Sequence, residues 1–255
     1  MREKSKVKKM FILDGGSISY DVGMMMYGTD LDKKMRVATP FYAFDTEDGW
    51  ILFDTGWPLM AVPILEAIGF EPDIKESNSA AEQIKKIGLK PSDIKKIILS
   101  HLHLDHTGGL LYFPDAEVYV QKDEFAYAHH PNSFQAAAYL TDTFNMPNIK
   151  WKLLEGDDVI IPGLTVIMAE GHTPGLQALI VELPQSGFYI LGGDSSYLSE
   201  NIEKNIPPGS AWSPVAGQYS IKRLKAVQKL LDAQYFPGHE LEFFEKNVKT
   251  WQAYT

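Results

Sequence analysis

Short apolar runs, separated by turns rich in glycine and acidic residues, recur along this chain in two stretches of similar plan, strands first and a helix later. In the first stretch, residues 7–13 read as a strand. Residues 41–44 and 50–53 read as a hairpin about the turn-forming Asp45-Thr46-Glu47-Asp48-Gly49. Residues 79–89 carry helical periodicity through Ile84 and Ile87, meet Gly88 near their end and Pro91 just beyond, and lead into the apolar strand 97–99.

In the second stretch, residues 159–161, 164–168, 178–183 and 188–191 read as strands, the last two joined by a turn at 184–187. Residues 218–233 form the plainest helix: Ile221, Leu224, Val227, Leu230 and Leu231 fall on one stripe, and Lys222, Arg223, Lys225 and Lys229 fall mostly off it. Strands able to pack as two sheets, with amphipathic helices left to cover the outer faces, predict an α/β fold of four layers, αββα. No linker or low-complexity tract divides the chain, so residues 1–255 are expected to form a single domain. Between the two stretches, residues 125–151 are rich in aromatic and small side chains. They read either as a helical cap over a pocket or as ordinary core and interface.

Composition narrows the partners. With 45% hydrophobic and 22% charged residues the chain resembles soluble globular proteins. A formal net charge of −9 argues against a nucleic-acid partner, because phosphate backbones are gripped by clustered Lys and Arg. There is no cysteine, hence no disulfide framework and no thiolate ligand or nucleophile, which fits a cytoplasmic protein. The apolar residues 10–13 behind the basic start are too few for a signal-peptide core, and no run approaches membrane-spanning length. A soluble, unprocessed protein without membrane insertion is expected.

The chemistry concentrates in Ser100-His101-Leu102-His103-Leu104-Asp105-His106-Thr107-Gly108-Gly109, directly after the strand 97–99; three of the seven histidines fall within six residues here. Histidines two apart at an extended strand end project to one side, and the chain must then turn for Asp105 and His106 to face a neighbouring point. That arrangement suits two metal ions rather than one. Imidazole nitrogens and a carboxylate oxygen are ligands that zinc and similar divalent ions prefer, and Gly108-Gly109 would let the backbone turn tightly beside them. Three further polar residues stand next to glycines at strand ends: His172 in Glu170-Gly171-His172-Thr173-Pro174-Gly175, Asp194 in Gly192-Gly193-Asp194, and His239 in Pro237-Gly238-His239.

This ordered set, HxHxDH followed by single His, Asp and His residues, resembles the metallo-β-lactamase superfamily over nearly the whole chain. Phe53-Asp54-Thr55-Gly56 matches another element of that family and implies that Asp54 braces the metal loops from behind. The resemblance implies that His101, His103 and His172 hold one metal, that Asp105, His106 and His239 hold the other, and that Asp194 bridges them. Zinc is expected first, with iron, cobalt or manganese as alternatives. His129 and His130 match no family motif and are read as surface or pocket-rim residues.

Two close divalent ions can hold water as hydroxide near neutral pH and polarise a carbonyl, so neither serine nor cysteine is needed as nucleophile. The superfamily cleaves several ester-like bonds, and local markers must select among them. The HxHxDH segment, Gly171-His172-Thr173-Pro174-Gly175, Asp194-Ser195-Ser196-Tyr197 and Ser220-Ile221-Lys222-Arg223-Leu224-Lys225 resemble the N-acyl-homoserine lactone hydrolases, the quorum-quenching lactonases. That likeness implies a lactone substrate opened by a metal-bridging hydroxide, with Tyr197 bonding the carbonyl or its oxyanion and Asp105 carrying the proton to the departing oxygen. For an acyl tail, Met24, Met25, Met26, Tyr27 and Leu104 are expected to offer an apolar groove; the methionines read equally as core or as a contact in a homodimer. Two other readings stay open. One is another small lactone or ester, such as a pyridoxolactone-like ring or a thioester. The other is a non-hydrolytic di-iron redox module, although its relatives carry glutamate where this chain has His103.

Overall fold

The structure, a computed structural model, describes residues 3–29 and 32–255. Its strands are β1 (Val7–Asp21), β2 (Lys34–Thr46), β3 (Gly49–Phe53), β4 (Ile94–Ile98), β5 (Glu117–Gln121), β6 (Lys150–Leu154), β7 (Asp158–Ile161), β8 (Leu164–Met168), β9 (Gln177–Leu183), β10 (Gly187–Leu191) and β11 (Gln234–Phe236). They form a six-stranded sheet, β1-β2-β3-β4-β5-β6, and a five-stranded sheet, β11-β10-β9-β8-β7.

Alternation along each strand serves two cores at once, because successive side chains point to opposite faces. Phe44, Ile51, Phe53 and Ile98 of the first sheet meet Leu164, Val166, Leu179, Val181 and Tyr189 of the second in the central core. Their neighbours Phe41, Ala43, Leu52, Ile97 and Val118 face outward, where Ala80 and Ile84 of the helix Ala80–Lys85 and Ala128 of the helix Lys122–His129 cover them. On the far side, Ala178 and Ile190 are covered by Leu224 of the helix Pro214–Leu231. The result is the expected four-layer αββα sandwich. Among the described residues no helix is long and apolar enough to cross a membrane.

Strand direction decides where chemistry can gather. β3 and β4 are parallel. β8 and β10 both lie antiparallel to β9, and β11 is parallel to β10, so β8, β10 and β11 also share one direction. The residues that follow β3 and β4 therefore leave one sheet at a common edge, and those that follow β8, β10 and β11 leave the other in the same way.

Several boundaries differ from the pattern-based expectation. β1 continues to Asp21, passing a register shift between Asp14 and Ser17; the polar Asp14-Gly15-Gly16-Ser17, with Gly16 at φ +92°, hides that continuation. The helix expected over 79–89 spans Ala80–Lys85, because Lys86, Ile87 and Gly88 bond to carbonyls three residues back and tighten the last turn. The helix expected from 218 starts at Pro214, where the Ser213 hydroxyl accepts from Ala216 N–H at 3.2 Å. Strands β5 and β6 escaped the pattern reading; β6, Lys150-Trp151-Lys152-Leu153-Leu154, lies at the sheet edge with only Leu154 buried. In segment 125–151, Phe144 and Tyr139 are buried in the outer core of the first sheet, and short helical turns at Ala136–Ala138 and Thr141–Phe144 carry them there.

Leu179 is fully buried between the sheets. Replacing it (Leu179→Ala) should lower unfolding stability by about 2–5 kcal/mol through lost transfer energy and a residual cavity, read as a lower urea midpoint with unchanged slope.

Candidate metal centre

The segment after β4 is extended through His101 and His103, and a short helix, Leu104–Thr107, then turns Asp105 and His106 inward. The His103 carbonyl fixes that turn by accepting from His106 N–H at 3.1 Å and Thr107 N–H at 3.2 Å. His172 arrives after β8, Asp194 after β10 and His239 after β11, and all seven side chains are buried. They form two groups of converging donor atoms: His101, His103, His172 and Asp194 in one, Asp105, His106 and His239 in the other.

Asp194 belongs to both by geometry. Its Oδ2 lies 3.2 Å from His172 Nε2 and 3.7 Å from His101 Nε2, while its Oδ1 lies 3.0 Å from His239 Nε2 and 3.3 Å from His106 Nε2. Asp105 Oδ2 stands 3.5 Å from His106 Nε2 and 3.9 Å from His239 Nε2. One carboxylate thus presents an oxygen to each group.

His101, His103, His172 and Asp194 are already in the state that cations require, whereas, against the cost of burial, the neighbouring carboxylates favour a proton on His106 and His239 that a cation would displace. Burial pushes His101 and His103 well below the usual imidazole range, and His172 below it, so their nitrogens carry lone pairs. Burial opposes ionisation of Asp194, but the imidazoles of His239, His106, His101 and His172 outweigh it and hold the carboxyl well below its ordinary value. Around His106 burial disfavours positive charge, yet Asp105, Asp194 and Asp54 prevail and draw it in. The Nε2 atoms of His101, His103 and His106 are buried without a hydrogen-bond partner among the described residues. Leaving such atoms unpaired costs about 1–3 kcal/mol each. Two divalent cations satisfy these orphaned nitrogens and the concentrated negative charge together, so the residues fit a dinuclear site.

Outer contacts fix the rings. Asp54 Oδ2 lies 2.8 Å from His106 Nδ1 and 2.9 Å from the donating Ser100 hydroxyl, and its Oδ1 accepts from Ser100 N–H at 2.7 Å. His239 Nδ1 donates to the Ala38 carbonyl at 2.7 Å, and His172 Nδ1 to the Ser210 carbonyl. Each bond turns Nε2 toward the centre. Gly108 and Gly109 are not the turn-makers expected from their sequence position: Gly108 has helical φ, and a Cβ there would meet Pro58 N at 2.0 Å, while one on Gly109 would meet Thr55 O at 2.6 Å. They let the metal loop press against the loop that carries Asp54.

A cavity of about 80 Å³ opens onto the two groups. Met24, Met25 and Leu104 line it, together with Tyr20, Tyr197 and Asp105. Met26 and Tyr27 do not: Met26 is buried in the neighbouring apolar cluster, and Tyr27 is half exposed with its N–H bonded to the Pro207 carbonyl. A short helix, Val22–Met25, ends there and turns the chain away. The Tyr197 hydroxyl lies 3.2 Å from His172 Nδ1. Burial, with Asp194 and Asp105 adding to it, pushes that phenol well above its usual range, so it stays a neutral donor. His129 lies outside the site, its Nδ1 closing a helical turn on the Phe125 carbonyl at 2.8 Å, and His130 is exposed. Residue-pattern reasoning missed Tyr20, Tyr139 and Glu124. Glu124 opens the helix after β5, and only its contacts with Leu102, Tyr139 and Gly175 set it apart from the other acids of the chain.

Comparison with known proteins agrees with this geometry. A family profile described as Metallo-beta-lactamase superfamily matches residues 36–239. The chain is 32% identical to the N-acyl homoserine lactonase of Bacillus thuringiensis, over 97% of this chain and 99% of that one. It is 29% identical to the N-acyl homoserine lactonase AttM of Azorhizobium caulinodans, over 91% and 93%. A solved N-acyl homoserine lactone hydrolase with the product N-hexanoyl-L-homoserine bound at its catalytic metal center superimposes with TM-score 0.89 at 32% identity, covering 98% of this chain and 100% of that one.

Replacing His106 by alanine should leave about one divalent ion per chain where the parent holds two, because its group loses one of three side chains. Elemental analysis after gel filtration checks this, and undiminished metal content would remove His106 from the site.

Proposed function

Because the chain belongs to the metallo-β-lactamase superfamily, we infer that it is a metal-dependent hydrolase that opens the ring of N-acyl homoserine lactones, the quorum-quenching reaction. The observation that carries the substrate class is the likeness to lactonases along nearly the full length of both chains, including a solved relative that holds a ring-opened product at its metal center.

His101, His103 and His172 would hold one cation, Asp105, His106 and His239 the other, with Asp194 shared. Zinc suits a donor set of imidazoles and carboxylates; iron, cobalt or manganese would accept the same set. Bound there, such ions make water a nucleophile at neutral pH and act as Lewis acids. The protein's own groups then shape the reaction. Tyr197, a buried neutral phenol on the cavity wall, would donate its O–H to the lactone carbonyl oxygen as negative charge develops there. Asp105 faces the same cavity. Its carboxylate would take the proton released by water and return it to the ring oxygen when the acyl carbon–oxygen bond breaks, giving an N-acyl-homoserine. Met24, Met25 and Leu104 would form the apolar wall along which the acyl tail leaves. The zero cysteine count favours a cytoplasmic setting.

A pH-stat assay of the zinc-loaded protein should show acid release from homoserine lactones of several acyl lengths. It should show little from a thioester, a β-lactam or a phosphodiester run in parallel; silence on every homoserine lactone would overturn the reading. In the same assay Tyr197→Phe should lower kcat by about 100- to 1,000-fold, the scale for losing one oxyanion donor, with metal content intact. An unaltered kcat would take Tyr197 out of the mechanism.

A further inference from the structure

Glu124 stands outside both groups of donor atoms, yet it is fully buried at the start of the helix Lys122–His129, directly after β5. Its Oε1 accepts from Leu102 N–H at 3.0 Å and from the Tyr139 hydroxyl at 3.1 Å. Its Oε2 accepts from Gly175 N–H at 3.3 Å. Leu102 is the residue between His101 and His103, and Gly175 lies in the loop that delivers His172. The Tyr139 ring stands edge-on to the His103 ring, with centroids 4.5 Å apart. Every imidazole of the first group is therefore within a few atoms of something this one carboxylate holds.

The contact between Glu124 and the His172 loop is also enforced by shape. A Cβ on Gly175 would meet Glu124 N at 2.3 Å and Glu124 Cβ at 2.5 Å, so the loop can lie here only as glycine pressed on the glutamate. The second group hangs mainly on other supports, His106 on Asp54 at 2.8 Å and His239 on the Ala38 carbonyl at 2.7 Å, with the Ser100 hydroxyl, held by Asp54, reaching His101 Nδ1 at 3.0 Å as the shared contact. Among the described residues no hydrogen bond joins Glu124 to Asp105, His106 or His239.

We propose that Glu124 is a positioning residue that clamps the His101–His103 segment to the His172 loop and thereby sets the affinity of the cation held by those three histidines, separately from the cation held by Asp105, His106 and His239. An ionised carboxylate is an acceptor on both oxygens and matches the three donors that face it. An amide of the same shape turns its NH2 onto at least one of those donors, and donor facing donor in a buried site forces the loops apart. Removing an outer hydrogen-bond partner of a metal ligand typically weakens binding by roughly 10- to 100-fold.

The inference rests on the two-cation reading, and one experiment separates their failures. Metal-free protein is titrated with Zn²⁺ against a chromophoric chelator, and with Co²⁺ while its visible absorption is followed. The parent should take up two equivalents; fewer would overturn the two-cation reading itself. In Glu124→Gln one equivalent should weaken by roughly 10- to 100-fold, with an altered Co²⁺ spectrum, while the other keeps its affinity. In the His106→Ala background the single retained ion should be the one that Glu124→Gln weakens. Tyr139→Phe, which removes one donor and leaves the carboxylate, should weaken the same equivalent by less, and it keeps the test alive should Glu124→Gln fail to fold. Equal weakening of both equivalents, alongside a lower melting temperature of the metal-free protein, would reduce Glu124 to a general structural role and overturn the proposal, as would two unchanged affinities.

Discussion

Concentrated charge in a closed space is the constraint on which this structure depends. Asp105 and Asp194 sit among five imidazoles, all buried. Taking carboxylates out of water costs several kcal/mol for each ion even after relaxation, and partnerless imidazole nitrogens add to that. The loops hold the arrangement because divalent cations convert the same donors from a liability into ligands, so metal binding and the folding of these loops are linked. The coupling also explains why donors from four different strand ends, those of β4, β8, β10 and β11, converge within a few ångströms while the strands behind them stay regular.

Rigidity behind the centre is built from backbone as much as from side chains. Asp54 adopts the left-handed region at φ +61°, uncommon for a residue with a Cβ, though aspartate tolerates it better than most. Its position is over-determined: its N–H donates to the Ile98 carbonyl at 2.9 Å, and its carboxylate faces Ser100 and His106. Strain of this kind persists only where the surroundings fix it, and here it aims one carboxylate at the start of the metal segment. Gly108 and Gly109 complete the fit by the closeness of their approach, since no Cβ could stand between the two loops.

How much of this could be read from the chain follows from the range of each signal. The four-layer fold was legible because apolar alternation and one strongly amphipathic helix are local patterns, and the seven donors were legible because HxHxDH and glycine-flanked polar residues at strand ends are local as well. Asp54 was reached through family likeness, and its strained φ could not have been. Glu124 and Tyr139 belong to a different class: their importance lies in contacts with Leu102, His103 and Gly175, and neither carries a mark in its own neighbourhood. Met26 and Tyr27 show the opposite error. An apolar run reads as one surface, whereas a four-residue helix ending at Met25 sends its members to different sides.

The size of the cavity divides the labour of recognition. Sites for drug-sized ligands run to roughly 300–1,000 Å³, against about 80 Å³ beside this centre. A space of that size encloses a small ring and leaves an acyl chain to run outward past Met24, Met25 and Leu104. The ring would then meet Tyr197, Asp105 and the cations, held among buried imidazoles. The chain would meet flexible thioethers, which repack at little cost around tails of different length. Under the proposed function, selectivity would then rest on the ring-facing groups, while the tail would meet the thioether wall of Met24 and Met25, of which Met25 is itself packed in the apolar cluster behind it.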